Sequence, residues 1–455
     1  MAEVTLQQIL DAREARASRQ QALLDAHGGT LICFTMNIPG PVKTSPGIIQ
    51  TFHLGQQMLL DSLKSEGISL LHQEASTPAT GCEGFYICDS TPQKLKQLCV
   101  GLEDSTAAGR LFDLDVICPD GTHISRQALG FSPRKCLLCD QEAKLCGRNR
   151  SHSLAQLQEK TQQLIDSFLT RQYARHIGAL AQKALLYEAC ATPKPGLVDR
   201  ANSGSHKDMD IFTFLSSAAG LGSYFEDCAM VGIRNRQASP ETVFPLLRAL
   251  GRIAEQRMYC WTDGINTHKG AIFTLGILCG AVGSAGTDPA TVSSYCKKML
   301  QGLTRQDLSP VTCENAATAG QQLYVQHGIT GIRGQAEAGF PAVFQVGLPL
   351  LQAALAEGLS LNDAGCAVLL HLIACTDDTT LIRRSDRPTQ LAIRRELAAL
   401  LQSDPFPAPD AIRALDEQFT EKGLSCGGSA DLLAATYFLY FAQTGQFPQT
   451  EPPIF

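Results

Sequence analysis

The sequence predicts two domains, an N-terminal α+β domain and a C-terminal all-α domain. The chain has 455 residues, which is too long for one ordinary hydrophobic core. Strand-like and helix-like segments alternate up to about residue 150, whereas helical periodicity dominates after about residue 172. We therefore expect one domain at residues 1–165 and the other at residues 172–455.

Composition excludes several classes of protein. Hydrophobic residues make up 44% of the chain and charged residues 18%, which is typical of a globular protein. The formal net charge of −6 argues against a dedicated nucleic-acid binder. Charges run through the first 24 residues, so we expect no export signal, a cytoplasmic location and mostly reduced thiols among the 17 cysteines. The longest apolar run begins at Gly270 and is broken by glycine, serine and threonine, which indicates a buried helix and no membrane span.

The expected elements of the first domain are strands and at least one helix. Residues 30–38, 84–89 and 111–118 combine β-branched and aromatic residues with flanking turn signals, which predicts three strands. Residues 50–67 have helical spacing of apolar residues and end at a glycine. Residues 151–172 form a polar, helix-favouring stretch, either a linker helix or the first helix of the second domain.

Apolar stripes predict the helices of the second domain. Ile177, Leu180, Ala181 and Ala184 share one helical face, and Glu188 continues that face. An inward carboxylate is costly without a partner, so Glu188 is either a functional group or a carboxylate satisfied by a cap or an arginine.

The segment after Glu188 is unusually polar for a connection between apolar helices. Pro193 and Pro195 restrict Lys194 to an extended backbone on a stiff loop. Four ionisable groups follow among basic neighbours, and they form either a functional cluster or a solvated loop: Asp199, His206, Asp208 and Asp210.

Three further segments suggest sites for anions or metals. An apolar helix begins near residue 269, and its unpaired N–H groups favour phosphate. The residues at this start are Asn266, Thr267, His268 and Lys269. Ser429 follows two glycines as the expected N-cap of the last helix. Arg333 lies between glycines, four residues before Glu337.

The end of another apolar helix carries a histidine and paired acids. His371 shares the stripe of neighbouring apolar residues, so we expect a core histidine there. Asp377 and Asp378 either hold Mg²⁺ through oxygen ligands or end the helix.

The first domain offers a second set of candidates. Asp113 and Asp115 are two apart on a predicted strand, so both carboxylates face one side, where they could share a divalent metal. A loop stiffened by proline and glycine presents Asn37 and Lys43.

Cysteines and basic residues cluster between residues 134 and 152. Cys136, Cys139, Cys146 and His152 have a spacing that fits zinc, but the rival interpretation is a helix whose thiols pack as small apolar groups. Basic side chains near them suit phosphates: Arg134, Lys135, Arg148 and Arg150.

The blocks TPKPGLVDRANSGSHKDMD, GINTHKGAIF, GIRGQAEAGFP and GGSADLL closely resemble the triphosphoribosyl-dephospho-CoA synthase family. That resemblance implies that ATP and 3′-dephospho-CoA react with release of adenine, and that Mg²⁺ accompanies ATP. It implies phosphate or substrate contacts for Lys194, His206, Asn266, His268, Lys269, Arg333 and Ser429. It makes Glu188, Asp199, Asp208 and Glu337 the acids, bases or metal ligands. The chain departs from the family at Gln335, Thr379, Ile382 and Cys426.

The blocks MNIPGPVKTSP, GRLFDLDVIC and RKCLLCDQEAKLCGRNRSH resemble the holo-acyl-carrier-protein synthase family of citrate lyase. The resemblance implies a nucleotidyltransferase-like domain in which Asp113 and Asp115 are catalytic and bind Mg²⁺. It also implies substrate contacts for Asn37, Lys43, Arg110, Arg134, Arg148 and Arg150.

Together the two resemblances imply a fused, bifunctional transferase for the citrate lyase prosthetic group. Its partners would be ATP, 3′-dephospho-CoA and the apo acyl carrier subunit, with no nucleic acid and no membrane. Two alternatives remain: the same chemistry for a malonate decarboxylase-type carrier, or a carrier-binding assembly scaffold with a degenerate synthase half.

Overall fold

The computed structural model describes residues 2–445, which divide into two compact units. The first unit ends at Gln172 and the second begins at Tyr173. The 37-residue helix α5 (Leu154–Cys190) contributes its first part to the N-terminal unit and its second part to the C-terminal unit. Each unit is described by itself below.

The N-terminal unit is built on one antiparallel sheet with strand order β2-β3-β1-β4-β5. The strands are β1 (Thr30–Met36), β2 (Ser69–Ser76), β3 (Glu83–Asp89), β4 (Phe112–Ile117) and β5 (His123–Ile124). The three predicted strands are present. The alternating, partly exposed strand β2 was not predicted from the sequence, and its pairing is irregular between Leu70 and His72.

Helices cover both faces of this sheet. The helices of the unit besides α5 are α1 (Leu6–His27), α2 (Pro46–Ser65), α3 (Pro92–Ser105) and α4 (Ala143–Asn149). Phe34, Phe112 and Leu114 point into the larger core, to which α2, α3 and α5 contribute. On the opposite face a smaller core joins Leu31 and Ile117 to α1. Because side chains alternate along a strand, Asp113 and Asp115 lie on this second face, as predicted.

The C-terminal unit is helical, as the apolar stripes predict. Its helices after α5 are α6 (Ile211–Arg234), α7 (Val243–Trp261), α8 (Lys269–Ala285), α9 (Pro289–Met299), α10 (Leu303–Asp307), α11 (Ala319–His327), α12 (Gly331–Glu337), α13 (Leu348–Ala356), α14 (Leu361–Cys375), α15 (Thr379–Arg384), α16 (Arg387–Ser403), α17 (Pro409–Glu421) and α18 (Gly427–Thr444). Within residues 2–445, no single helix has both the length and the apolar character needed to cross a membrane.

Three apolar helices, α8, α14 and α18, form the centre of this unit and are buried over most of their length. Helices α6 and α8 approach backbone to backbone, because a Cβ on Gly232 would lie 2.0 Å from the carbonyl oxygen of Gly280. Glycine at position 232 is therefore required for this contact. The packing brings the N-terminal ends of α8 and α18 to the same place, next to the loop that follows α5.

Candidate active site

A cavity of about 280 Å³ in the C-terminal unit gathers residues from four separate parts of the chain. It is lined by the end of α5 and its following loop, by the start of α8, by α15 and by the start of α18. Seven of the predicted site residues line it: Glu188, Lys194, His206, Asp208, Asn266, His268 and Lys269.

A buried ion pair, Glu188 with Lys194, forms one wall of the cavity. The Lys194 ammonium donates to the Glu188 carboxylate at 2.6 Å and to the Glu188 backbone carbonyl at 2.7 Å. Their side chains are only 5% and 2% exposed. The sequence predicted Lys194 as a free phosphate ligand, but two of its three N–H groups are directed to Glu188. The pair therefore acts as a unit that places the Glu188 carboxylate and its lysine partner beside the cavity.

Asp199 organises the loop and does not line the cavity. Its oxygens accept from the Thr192 hydroxyl at 2.6 Å and from the backbone N–H groups of Lys194, Ala201 and Asn202. A carboxylate has about four acceptor positions, so these donors fill it. The predicted role of Asp199 as an acid, a base or a metal ligand stays a prediction, and in this structure its donors all come from its own loop.

His206 is held in one neutral tautomer at the cavity edge. Its Nδ1 faces the Arg384 guanidinium at 3.1 Å, and its Nε2 lies 3.0 Å from the Ser425 hydroxyl. Since arginine only donates, Nδ1 accepts and the proton sits on Nε2. Burial, and then the charge of Arg384, lower the pKa of His206. Asp208 stands beside it with a side chain that is 65% exposed.

His268 is buried at the first turn of α8 with one ring nitrogen free of protein partners. Its Nδ1 lies 2.7 Å from the Ser217 hydroxyl, which itself accepts from Thr267. Ser217 therefore donates to Nδ1, which leaves the imidazole proton on Nε2, an atom with no hydrogen-bond partner. Burial, and then the nearby Lys194 charge, lower the pKa of His268 to about 3. The residue thus offers a neutral N–H donor to a ligand.

Asp431, one turn into α18, is the acid that the sequence analysis missed. Its carboxyl accepts from the backbone N–H of Ala271. Burial, then the charges of Glu188 and Asp378, raise its pKa well above the ordinary range. Gly270 makes the approach of the two helices feasible, because a Cβ there would lie 1.9 Å from an Asp431 carboxyl oxygen. The cavity therefore contains a second carboxyl group, Asp431, whose proton is held more tightly than in an ordinary aspartate.

The prediction that Ser429 is the N-cap of the last helix is wrong. Helix α18 begins at Gly427, so Ser429 lies inside the first turn and is not the N-cap. Its N–H and hydroxyl donate to Asp378, which also caps α15 through the N–H groups of Thr380 and Leu381. Asp378 is thus buried and filled by protein donors.

Asp377 is occupied as well, because it accepts from Arg387 at 2.6 Å and from Arg394 at 2.7 Å. Magnesium binding by Asp377 and Asp378 stays a prediction, and in this structure both carboxylates accept from protein donors. The Nε2–H of His371 donates to the carbonyl of Pro405 at 2.8 Å, and the residue is only partly buried, although a core position was expected.

Arg333 and Glu337 lie on α12, away from the cavity. Arg333 pairs with Asp307 at 3.0 Å and lines a different pocket. Glu337 accepts from the backbone N–H groups of Gly302 and Thr304, which begin the short helix α10. Their predicted roles at the reaction site stay predictions, and in this structure the two residues stabilise packing around α12.

In the N-terminal unit, Asp113 and Asp115 lie on the face of the sheet that α1 partly covers. Partial desolvation, then the charge of Asp115, raise the pKa of Asp113, although Arg134 opposes this. The Arg134 guanidinium lies 3.3 Å from Asp113 and 3.0 Å from buried Glu103, and it donates to the Phe112 carbonyl. Arg134 therefore holds the carboxylates of Asp113 and Glu103 in place.

The other residues predicted to bind substrate in this unit are either bonded to backbone carbonyls or exposed. Arg110 donates to the carbonyls of Lys135 and Cys136, so it ties a loop to the sheet and is not free for phosphate. The Lys43 ammonium donates to the Ile38 carbonyl at 2.6 Å, and burial lowers its pKa. Three of the predicted residues are exposed: Asn37, Arg148 and Arg150.

The cysteine segment is a loop followed by a short helix. Helix α4 starts only at Ala143, so Cys139 is outside it and the rival interpretation of one continuous helix is wrong. The ligand atoms of Cys136, Cys139, Cys146 and His152 all lie within 4.8 Å of one another. All 17 cysteines of the chain are free, and most of them are buried.

Comparison with known proteins identifies both units. Residues 174–447 match the family model described as CitG, ATP:dephospho-CoA triphosphoribosyl transferase. Residues 4–168 match CitX, apo-citrate lyase phosphoribosyl-dephospho-CoA transferase. Protein CitXG of Haemophilus influenzae is 34% identical over 451 residues, which cover 96% of both chains. The chain belongs to the CitXG family.

Two other relatives agree with this. Protein CitXG of Leuconostoc mesenteroides subsp. cremoris is 34% identical over 96% of this chain and 97% of its own. The 2-(5″-triphosphoribosyl)-3′-dephosphocoenzyme-A synthase of Pectobacterium atrosepticum is 41% identical over 57% of this chain and 87% of its own. The CitXG relatives therefore match both units, whereas the Pectobacterium synthase matches 57% of this chain.

Sequence reasoning missed Asp431, Arg383 and Arg384 as cavity residues. One signal for Asp431 was available, because it is the only acid within the otherwise apolar helix α18. Nothing local marks the two arginines, since their segment has the polar composition of an ordinary short surface helix.

Proposed function

We propose that this CitXG-family chain catalyses two consecutive transfers. The C-terminal unit joins the ribose of ATP to the 2′-hydroxyl of 3′-dephospho-CoA and releases adenine. The N-terminal unit transfers the phosphoribosyl-dephospho-CoA group to a serine of the apo acyl carrier subunit of citrate lyase and releases pyrophosphate. The observation that carries the first reaction is the cavity that combines Glu188, paired with Lys194, and Asp431, whose pKa is raised.

The first reaction needs one proton removed and one proton supplied. A bond forms between the 2′-oxygen and the anomeric carbon of ATP, and the bond from that carbon to adenine breaks. Glu188 accepts the hydroxyl proton, and Asp431 gives its proton to the departing purine. Two carboxyl groups in different surroundings, one paired with lysine and one whose pKa is raised by burial, are suited to this division, as in glycoside chemistry.

Basic groups and helix ends bind the retained triphosphate. Arg383, Arg384 and Lys269 line the cavity, and the N-terminal end of α8 lies at its wall. The Nε2–H of His268 adds a neutral donor. Exposed Asp208 is the carboxylate that would hold Mg²⁺ arriving with ATP, and the ion would supply neutralisation of phosphate charge. A site of this composition suits one sugar that carries three phosphates.

For the second reaction we propose a nucleotidyltransferase-like site at Asp113 and Asp115. Two neighbouring carboxylates with a raised pKa at Asp113 suit a divalent cation, since the cation removes their repulsion. Mg²⁺ at these residues would supply charge neutralisation for the leaving pyrophosphate. Arg134 holds Asp113 in place, while the exposed Arg148 and Arg150 offer positive charge to an acidic carrier. We also propose a cytoplasmic location.

One assay tests both halves of the proposal. The chain is incubated with ATP, 3′-dephospho-CoA, Mg²⁺ and apo carrier, while adenine, pyrophosphate and carrier mass are followed together. We expect one adenine and one pyrophosphate for each carrier that gains the phosphoribosyl-dephospho-CoA mass. Dephospho-CoA binding without adenine release would favour the scaffold alternative. Faster loading of a malonate decarboxylase carrier than of the citrate lyase carrier would change the assigned partner.

A further inference from the structure

The N-terminal unit contains a four-residue cluster that the transfer reactions do not use. The Cys139 sulfur lies 3.4 Å from the Cys146 sulfur and 3.3 Å from Nε2 of His152. The Cys146 sulfur lies 3.9 Å from the same nitrogen, and Cys136 completes the group within 4.8 Å. Among residues 2–445 no other set of three or more His, Cys, Asp or Glu side chains meets this condition.

These separations suit a tetrahedral zinc ion. With Zn–S distances of about 2.3 Å and Zn–N distances of about 2.0 Å, the edges of an S₃N tetrahedron are about 3.5–3.8 Å long. The observed separations of 3.3, 3.4 and 3.9 Å surround these values. Four protein ligands leave no open position, so such a site is structural and not catalytic.

The backbone around Cys136 supports the same interpretation. The N–H groups of Leu138 and Cys139 both donate to the Cys136 sulfur, so the turn between the two cysteines is arranged around a sulfur that carries negative charge. The cluster is also not explained as apolar packing. None of its four members belongs to a hydrophobic core of the unit, and Cys139 and His152 are partly exposed.

We infer that Cys136, Cys139, Cys146 and His152 bind one structural zinc ion. Soft thiolates with one imidazole favour zinc over magnesium or calcium. The ion closes the loop that carries Arg134 and Lys135. That loop is tied to the sheet by Arg110, which donates to the Lys135 and Cys136 carbonyls, and by Arg134, which reaches Asp113. The ion therefore holds Arg134 against the acid of the proposed carrier-loading site.

Metal content tests the inference without reference to activity. The full chain, purified without an affinity tag and without chelators, is expected to contain about one zinc ion per chain by elemental analysis. Cys139→Ser and His152→Ala are expected to lower this at least fivefold. Cys118→Ser and His123→Ala are matched controls in the same unit and outside the cluster, and both should keep the ion.

Cobalt provides a second readout that does not depend on how the protein was grown. Replacement of zinc by Co²⁺ is expected to give sulfur-to-cobalt charge-transfer absorption and tetrahedral d–d bands, both lost in Cys139→Ser. Circular dichroism shows whether each variant is folded. If a variant is not folded, thiol titration of the native wild-type chain is used as the test instead. Zinc-bound thiols should react slowly until a chelator is added.

Two results would overturn the inference. One is wild-type chain with less than about one zinc ion per ten chains after growth in zinc-supplemented medium and no cobalt spectrum after reconstitution. The other is a mass two hydrogens lower that maps to a Cys139–Cys146 disulfide, which would make the cluster a redox pair. Removal of the ion should slow carrier loading but leave adenine release unchanged, because the cluster lies in the N-terminal unit.

Discussion

At the scale of single residues, the C-terminal cavity separates two carboxyl groups by their surroundings. Glu188 has a lysine at 2.6 Å, whereas Asp431 has burial and two negative neighbours. The lysine pairs with the first group, and the surroundings of the second group raise its pKa and favour its protonated form. The residue types alone do not assign these roles, because both are ordinary acids in the sequence.

We predict that Asp431→Asn lowers the rate of adenine release by about 10²- to 10⁴-fold, the usual contribution of an acid or base group. Because the pKa of Asp431 is raised, its acid form is present at neutral pH and is lost as pH rises through that value. The wild-type rate should therefore fall on the alkaline side, and the variant should lack this fall. Adenine release measured against pH checks both expectations.

The matched control is Asp227→Asn, an exposed acid on α6 that does not line the cavity. It should retain the wild-type rate and profile. A wild-type rate for Asp431→Asn would remove Asp431 from the mechanism.

A second residue-scale prediction concerns the N-terminal sheet. Asp115→Asn should abolish carrier loading while adenine release continues at the wild-type rate, since the two acids belong to different units. Intact mass of the carrier and released adenine are measured in the same reaction. Asp89→Asn, at the exposed end of β3, is the control and should load the carrier normally. Normal loading by both Asp113→Asn and Asp115→Asn would defeat the assigned role.

At the scale of elements, helix ends determine where the side chains of the cavity point. Asp378 caps α15 and also binds the first turn of α18 through Ser429. One buried carboxylate thereby joins the two helices that present Arg383, Arg384 and Asp431 to the cavity. Glu337 acts similarly on α10.

We predict that Asp378→Ala lowers the free energy of unfolding of the C-terminal unit by roughly 3 kcal/mol, because several buried donors lose their acceptor. Thermal and chemical unfolding of the full chain measure this change. Asp410→Ala, which removes an acid that is 90% exposed, should change stability little. An unchanged unfolding curve would contradict this prediction. If adenine release in the same variant also depended less on Mg²⁺, the result would support the predicted role of Asp378 as a magnesium ligand.

At the scale of the whole molecule, one chain holds the producer and the consumer of the same intermediate. Tethering raises the local concentration of a scarce intermediate near its consumer even when it diffuses freely between sites. The matches of CitG and CitX to separate parts of this chain agree with two independent catalytic units.

We predict that a mixture of Asp431→Asn chains and Asp115→Asn chains loads the carrier, although neither variant does so alone. The intermediate must then travel between molecules, so loading should show a lag that shortens as protein concentration rises. Time courses of carrier mass at several concentrations provide the measurement. A mixture that never loads the carrier would mean that the intermediate does not leave the chain in which it forms.

The sequence by itself determined the two-unit organisation, the strands 30–38, 84–89 and 111–118, and the family. These depend on local periodicity and on short ordered blocks, which are properties of neighbouring residues. It also predicted that Glu188 faces inwards and that Asp113 and Asp115 share a face, since helix and strand periods place side chains directly.

Only the tertiary structure decided which polar groups meet a ligand and which meet the protein. Asp199, Arg333, Glu337 and Asp378 have the residue types of a phosphate or metal site, yet protein groups bond to all four, from the same loop at Asp199 and from distant segments at the other three. Asp431 was missed because its raised pKa arises from burial and then from the charges of Glu188 and Asp378, which are distant in sequence. The physical reason is that the charge state and availability of a polar side chain depend on its three-dimensional neighbours, whereas element type depends on the local sequence.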